Sequence, residues 1–568
     1  MTAPTRAEII AKAADGRLLD ALFNDYGRHW FNENDPIIVE LAKIHNDGAV
    51  DLLALVTPAS LEPYKGSTFF AGQHIYQALI SKLNTSAESL MRVVDALLKA
   101  GGNDMMAGLP ANEFAKWCAA DPARPAELLG LIDRKVANAD RYLTIAITSG
   151  VAVDAGYFTD RAYSFLTGGS EGEKLGAINA LGQIPLANAA EWDRLVTTFQ
   201  AALTPDPGDA IRAGIVTAMV RRLKDAPLTH ANALIEIAIA AITPLGDQVL
   251  YESAQALAFH LDAVGPKLIE TMLKALLTVK PQQKSTLHLL DLALTKLVKA
   301  GDPSRARFFL EHLFAREGEG FGFEQFDSFR HKLFETGGRV LEDWVVAWLR
   351  IGNFTLCKEM NDKLFGPGTD EIAFSIDFTR FGLADAEYAY LARKAIGSFF
   401  LKPLIMVSIL TSLLRSAPDE PAREIEALLL DPILINYSGV ASEYLKPITE
   451  DTNDVVTPAA KRALEGLTNY INGLKSIGEV AELHPSERER QLEWQRHSDS
   501  LAVAFRNARK NSIMASLMSE SVMLYGSRAV TWVVNAVETP RRIETPLASI
   551  GIRSRCRGSI PSIPSVCS

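Results

Sequence analysis

A junction anchored by threonine recurs through residues 150–315, and its spacing limits the folds that this chain can adopt. Helical patterns end at Thr167, Thr204, Thr243 and Thr278, which are 37, 39 and 35 residues apart. Proline follows each of the last three threonines and cannot continue a helix, because it lacks an N–H group and clashes with the preceding turn. A regular recurrence of this kind predicts an array of repeated helical units.

Each predicted unit contains two helices that cannot bury their apolar faces alone. The first helices read EKLGAINALGQI, AIRAGIVTAMVRRL, QVLYESAQALAFHL and STLHLLDLALTKLV, and the second helices read WDRLVTTFQAALT, ANALIEIAIAAIT, PKLIETMLKALLT and SRARFFLEHLFARE. Small residues such as Gly182 and Gly214 recur along the first helices, where two helices must approach closely. We expect the helix after each junction to be capped by Ser170, Asp209 or Asp247, through its free N–H groups.

The segments SEGEKLGAINALGQI and GDAIRAGIVTAMVRRL resemble the HEAT-like and armadillo-like helical repeats. The likeness covers about four units, which is under a third of the chain. Tetratricopeptide-type pairs are the alternative, since their period of about 34 residues is close, but the Trp, Gly and Tyr of that motif are missing at the required spacing. The resemblance implies an all-α, right-handed superhelical solenoid of HEAT-like helix pairs, a fold that usually binds proteins.

The regularity of the repeats and the residue composition divide most of the chain into three helical segments. Residues 1–150 are predicted to be irregular N-terminal helical repeats that cap the array, because terminal repeats are commonly atypical. Residues 151–316 hold the regular HEAT-like repeats. Residues 326–480 are rich in aromatic residues and are predicted to form a second helical lobe, after a boundary at residues 316–325.

The C-terminal part differs in charge from the rest of the chain. Residues 486–568 contain 12 Lys and Arg against 7 Asp and Glu, so this part carries +5 and the remainder carries −15. Within residues 486–550 we expect one long charged helix, Ser486–Met518, followed by a β-hairpin. Ala529–Val534 is the predicted strand, and Pro540–Pro546 its turn or return. The tail, residues 551–568, is predicted to be disordered or an aberrant end.

Composition favours a protein of the cytoplasm with no membrane contact. The net charge of −10 argues against a surface that follows nucleic acid or anionic lipid along its whole length, although a local basic patch is compatible with it. Four scattered cysteines do not form a disulfide framework. The most apolar run, Leu404–Leu414, is 11 residues long, whereas a membrane-spanning helix needs about 20.

Two basic patches and one pair of tryptophans are the candidate interaction residues. The first patch follows the second junction, and the second patch lies within about one helical turn, where it could hold phosphates. The tryptophans share a helix face at a spacing of four residues, either as a binding platform or as core. The candidates are Arg221, Arg222, Lys224, Trp344, Trp348, Arg506, Arg509 and Lys510.

No catalytic, cofactor or metal site is predicted. Glu311, His312 and His331 offer metal-binding side chains, but no HExxH, ExxH or CxxC motif accompanies them. Gly318–Gly322 lies among glutamates that would repel a phosphate, so a flexible loop is the preferred interpretation. Cys118, beside Trp117, is interpreted as a small buried residue.

The leading hypothesis is a non-enzymatic scaffold or adaptor that binds a partner protein, within a multi-protein bacterial assembly. The origin is suggested only by the alanine-rich texture of the sequence. The first alternative is a HEAT-like nucleic-acid-binding protein related to DNA repair or defence. The second alternative is an enzyme of unrecognised type, whose site would be assembled from residues distant in sequence.

Overall fold

The computed structural model describes residues 4–26, 34–102, 104–316, 318, 320–366, 368–369, 371–478, 484–510, 518–525, 528–535 and 541–546. The side chains of Met105, of residues 509–510 and of the three strands are not among the described features. The chain forms two compact units, Met1–Ala463 and Leu464–Ser568. The boundaries predicted near residue 150 and at 316–325 therefore both lie inside the first unit.

Helices build the first unit. Its N-terminal helices are α1 (Arg6–Ala14), α2 (Leu18–Asp20), α3 (Pro36–Asn46), α4 (Pro58–Leu61), α5 (Gly66–Ile80), α6 (Ala87–Gly101), α7 (Leu109–Ala119) and α8 (Arg124–Asp133). The middle helices are α9 (Leu143–Gly150), α10 (Ala155–Gly168), α11 (Glu171–Leu181), α12 (Ala189–Ala202), α13 (Asp209–Arg222), α14 (Leu228–Ile242), α15 (Asp247–Phe259), α16 (Pro266–Leu276), α17 (Lys284–Lys299) and α18 (Pro303–Phe314).

The later helices follow after residue 326. They are α19 (Asp327–Thr336), α20 (Gly338–Ile351), α21 (Phe354–Glu359), α22 (Asp385–Phe399), α23 (Pro403–Leu414), α24 (Asp419–Leu428), α25 (Ser438–Glu450) and α26 (Thr457–Ser476). Single 3₁₀ or π turns, for example Phe323–Gln325, join several of them. The prediction of an all-α first unit is confirmed.

Successive helix pairs of the middle segment pack in two layers. In the first layer α9, α11, α13, α15 and α17 each contact the next, and in the second layer α10, α12, α14 and α16 do the same. Contacts between α10 and α11, α13 and α14, α15 and α16, and α17 and α18 join the layers. Each pair therefore buries its apolar faces mainly against its neighbours in the chain.

The first layer is packed more closely than the second, and its small residues explain why. A Cβ atom on Gly176 of α11 would lie 2.8 Å from the Cβ atom of Leu143 in α9. A Cβ atom on Gly182, which directly follows α11, would lie 3.0 Å from the Cα atom of Ala218 in α13. Larger side chains at these two positions would force the helices apart.

The junctions cap their helices in two different ways. The Ser170 hydroxyl accepts a hydrogen bond from the Glu173 amide, as predicted for an N-cap. Asp209 and Asp247 are instead the first residues of α13 and α15, so the prediction that they cap those helices is wrong. The Asp209 carboxylate reaches the next pair, where it accepts the Gln248 amide at 2.8 Å and the Val249 amide at 3.3 Å. It thus caps α15 from the preceding pair.

Aromatic side chains fill the core after residue 316. The Phe314 ring, at the end of α18, contacts the rings of Phe323 and Trp348 at centroid distances of 5.3 and 6.3 Å. Helix α19 packs on α17, and α20 packs on α22, so contacts continue without a break across the predicted boundary. Asp291 of α17 accepts the Phe329 amide at 2.8 Å, which repeats the capping bond made by Asp209.

The Leu404–Leu414 run lies in α23, whose residues from Ile405 to Leu414 are all buried. Within the described ranges, no helix combines the length and the apolar character that crossing a bilayer requires.

The second unit contains the part of α26 from Leu464 onward, α27 (Glu487–Lys510) and the strands β1 (Met518–Tyr525), β2 (Arg528–Asn535) and β3 (Arg541–Pro546). The strands form an antiparallel sheet in the order β1–β2–β3, with Tyr525 opposite Arg528. The strand predicted at Ala529–Val534 lies within β2. The helix predicted to reach Met518 is too long, because α27 ends at Lys510 and Met518 opens a strand. The predicted tail, residues 551–568, lies outside the described residues.

Candidate interaction surface

Arg222, from the first basic patch, is a structural residue. Arg222 is 4% exposed, and its guanidinium donates to two carbonyls. One belongs to Leu181, the last residue of α11, and the other to Ile184, just after that helix. Burial lowers the pKa of Arg222 to about 10. These bonds satisfy carbonyls that the end of α11 leaves free. The interpretation of Arg222 as a surface contact is therefore corrected: it ties α13 to α11.

The other two residues of that patch reach solvent. Arg221 is half-buried in the last turn of α13, and Lys224 is exposed just beyond it. Both lie near His260, which follows α15. Burial lowers the pKa of the His260 imidazole, and the charges of Lys224 and Arg221 lower it further. The Nδ1 atom of His260 is buried and has no hydrogen-bond partner among the described residues. The structure thus gathers two cations and the imidazole of His260 at the C-terminal ends of α13 and α15.

The solvent side of α15 carries aromatic side chains, and sequence reasoning missed them. Phe259 is 58% exposed and Tyr251 is 37% exposed, while the buried side of α15 consists of residues such as Val249, Ala254 and Leu257. We name Gln248, Tyr251, Gln255 and Phe259 the α15 face; Gln255 is half-buried and the other three are exposed. The sequence does contain a sign of this face: two aromatic residues lie off the apolar stripe of α15, at positions where a solvated helix normally carries polar residues.

The two candidate tryptophans lie in the core. Trp344 is 2% exposed and Trp348 is fully buried, with their rings 5.5 Å apart. The Trp348 indole N–H donates to the Glu311 carboxylate at 3.0 Å, and burial raises the pKa of Glu311. The interpretation of this pair as an exposed binding platform is therefore wrong, and the alternative as core residues describes them.

The second basic patch lies on α27 in the second unit. Arg506 is exposed, and its Nε donates to the carbonyl of Ala502 on its own helix at 3.2 Å. The side chains of Arg509 and Lys510 lie outside the described residues. Trp494, Leu501 and Phe505 are exposed on the same helix.

The histidines do not form a metal site in the part of the chain that the structure describes. No group of three or more His, Cys, Asp or Glu side chains there could hold a metal ion. His312 binds the Phe308 carbonyl through Nδ1 at 2.8 Å, and His331 lies 3.9 Å from Asp327 on its own helix. The buried Cys118 thiol has its pKa raised to about 11 by desolvation, so it is an unreactive thiol rather than a nucleophile.

A charged cleft between α18 and α20 has a volume of about 640 Å³. Its cations are already paired with carboxylates: Arg350 with Glu387 at 2.6 Å, and Arg380 with Asp343 at 2.8 Å. Because these charges compensate each other, the cleft offers no unpaired charge that would select a ligand.

Comparisons with known proteins add no family. No protein-family model matches the chain, and no curated protein matches it significantly. One solved structure, described as the crystal structure of an engineered protein, is 16% identical and aligns over 82% of this chain and 98% of its own. Its TM-score is 0.20, so this likeness carries no argument about the fold.

Proposed function

We propose that the protein is a cytoplasmic, non-enzymatic scaffold of the HEAT-like repeat type, which binds a partner protein within a multi-protein bacterial assembly. The α15 face is the observation that carries this proposal. Exposed aromatic side chains on a rigid helix supply a large contact area at low entropic cost, and such residues dominate the binding energy of protein interfaces.

The packing of the middle segment supports the repeat part of the proposal. Successive pairs contact mainly their neighbours, in two layers, and small residues bring the first-layer helices close together. This arrangement is typical of α-solenoids, which present extended binding surfaces. The free, buried thiols of Cys118 and Cys357 fit a reducing compartment.

A pull-down from native cells, analysed by mass spectrometry with and without nuclease, tests the proposal. We expect a stoichiometric protein partner that survives nuclease treatment and is lost from the double variant Tyr251→Ala, Phe259→Ala. The matched control is Phe308→Ala, which removes a 61% exposed ring from α18, the helix that pairs with α17. A protein that binds the double variant as well as the wild type would refute the role of the α15 face, and the absence of any such partner would refute the scaffold.

The alternative function is nucleic-acid binding, and the cations of α27 favour it. Arg506, Arg509 and Lys510 lie at the C-terminal end of this helix, within a part of the chain that carries +5. This alternative predicts binding that weakens steeply with salt, because neutralised phosphates release counterions. The double variant Arg506→Glu, Arg509→Glu should abolish such binding and leave a protein partner bound.

A further inference from the structure

The C-terminal ends of α13 and α17, two helices of the first layer, carry cations that form no ion pair with the described residues. Arg221 and Lys224 lie at the end of α13, and Lys296 and Lys299 lie in the last turn of α17. Helix α15 lies between them and contacts both. We name these four residues the basic row. Lys224, Lys296 and Lys299 are exposed, and Arg221 is half-buried.

Some cations of the first unit form ion pairs with the preceding helix pair, unlike the four cations of the basic row. Arg161 pairs with Asp133, for example, and Arg194 pairs with Asp160 at 2.6 Å. No carboxylate of the described residues lies within ion-pair distance of any member of the basic row, although Asp225 is in the same turn as Lys224. Cations at helix C-termini interact favourably with the helix dipole, so a purely stabilising role is the competing explanation.

Apolar surface adjoins these charges. Phe259, the most exposed ring of the α15 face, is the last residue of α15, between the ends of α13 and α17. The imidazole of His260 is next to it, and burial, followed by the charges of Lys224 and Arg221, lowers its pKa. An anion bound here would therefore meet both unpaired cations and an exposed aromatic ring.

We propose that the basic row and Phe259 together bind an acidic peptide segment of the partner, in which carboxylate side chains stand next to an apolar side chain. The carboxylates pair with the basic row, and the apolar side chain packs on Phe259. The inference rests on the proposed scaffold function and names the chemistry of its partner.

Charge complementarity favours an acidic peptide over a nucleic acid. Residues 1–485 carry a net charge of −15, so the field of this part of the chain repels a long polyanion. A nucleic acid is usually held through many phosphate contacts along a continuous basic track. A short acidic segment needs only the local charges and gains from the adjacent aromatic ring.

Selection from a random dodecapeptide phage library on the immobilised full chain tests the inference. We expect Asp or Glu beside an aliphatic or aromatic residue to be enriched at least about threefold over the starting library. The variant with Arg221, Lys224, Lys296 and Lys299 all changed to Glu should lose that enrichment and select Lys and Arg instead. A merely structural role of the row would change stability without reversing the selected charge.

Two further variants keep the result interpretable. The corresponding fourfold change to Gln, checked for native helix content by circular dichroism, should lose acidic enrichment without gaining basic enrichment. The matched control changes Arg488, Arg490, Arg496 and Arg506 of α27 to Glu, with the same total charge, and should select the same peptides as the wild type.

Three results would overturn the inference: no acidic enrichment on the wild type, the same enrichment on the row variants, or row-dependent binding of a labelled single-stranded DNA 20-mer that exceeds peptide binding. If the row variants still capture a partner from cells, the scaffold function is supported and the proposed acidic segment is refuted. Conversely, the peptide selection remains readable even if no cellular partner is captured.

Discussion

In the pairs from α11 to α17, first-layer helices approach through glycine and alanine, whereas the pairs from α18 to α22 pack through large aromatic side chains. Gly176 and Ala218 lie at the close contacts of the first region, and Phe323, Trp344 and Trp348 fill the second. Both regions nevertheless use a side chain of one pair to cap a helix of the next. Asp209 does this in the first region, and Asp291 does it where the two regions meet. Stacking therefore depends on satisfying the helix ends, while the residues that fill the interface can differ.

The largest expected effect tests the aromatic region. Trp348→Ala removes a fully buried side chain and leaves Glu311 without its indole donor. We expect the free energy of unfolding to fall by about 3–5 kcal/mol, as measured by urea denaturation followed by circular dichroism. The control Trp494→Ala removes a half-exposed ring from α27 and should change it by less than about 0.5 kcal/mol. Equal effects of the two substitutions would mean that Trp348 is not a core residue.

The next effect compares the two capping carboxylates. Asp291 is 4% exposed and accepts the Ser328 and Phe329 amides, so Asp291→Ala should cost about 1–3 kcal/mol by leaving the buried Phe329 amide unsatisfied. Asp209 is less buried, and Asp209→Ala should cost about 1 kcal/mol, as is usual for an N-cap. Urea denaturation of both variants measures the difference. A larger loss of unfolding free energy for Asp209→Ala than for Asp291→Ala would contradict this ranking of the two caps.

A glycine pair tests the close approach in the first layer. Gly176→Ala places a Cβ atom 2.8 Å from that of Leu143 and should destabilise the protein by about 1–3 kcal/mol. Gly397 lies in α22 with open space around its Cβ position, so Gly397→Ala should stabilise the protein by up to about 1 kcal/mol. Thermal unfolding of both variants provides the measurement. If Gly176→Ala is as stable as the wild type, close packing does not define this layer.

The smallest effect is a pH dependence at Glu311. Burial raises the pKa of this carboxyl in the folded state, so folding favours its protonated form. The stability that Glu311 contributes is therefore present at pH values below the pKa of the unfolded chain and is lost as pH rises through the folded pKa. We expect Glu311→Gln to be more stable than the wild type at pH 8, by less than about 1 kcal/mol. The gain should shrink toward pH 4; a gain that grows there would contradict the assignment.

The helical fold and the junctions could be predicted from sequence because they depend on local rules. Proline after Thr204 and Thr243 ends a helix wherever the chain goes, and Ser170 caps the helix directly after it. The prediction failed for Asp209, whose position at the start of α13 directs its carboxylate to the next pair. Contacts between residues about 40 positions apart, such as this one, leave no local pattern.

The candidate surface was less predictable, because the sequence does not show which basic residues at the end of a helix are exposed and which are buried. Arg221 and Arg222 are neighbours, yet one reaches solvent and the other is buried against the end of α11. Which of the two is buried depends on which side of α13 faces α11. Phe259 was not among the candidate residues, although it lies off the apolar stripe of this alanine-rich helix.

Photo-crosslinking in native cells tests most directly whether the α15 face is the binding surface. p-Benzoylphenylalanine replaces Phe259 in one variant and, as the control, Phe308 of α18 in another. We predict a protein adduct of one defined mass at position 259 that depends on ultraviolet light, and no such adduct at position 308. No adduct at position 259, or the same adducts at both positions, would contradict this assignment of the binding surface.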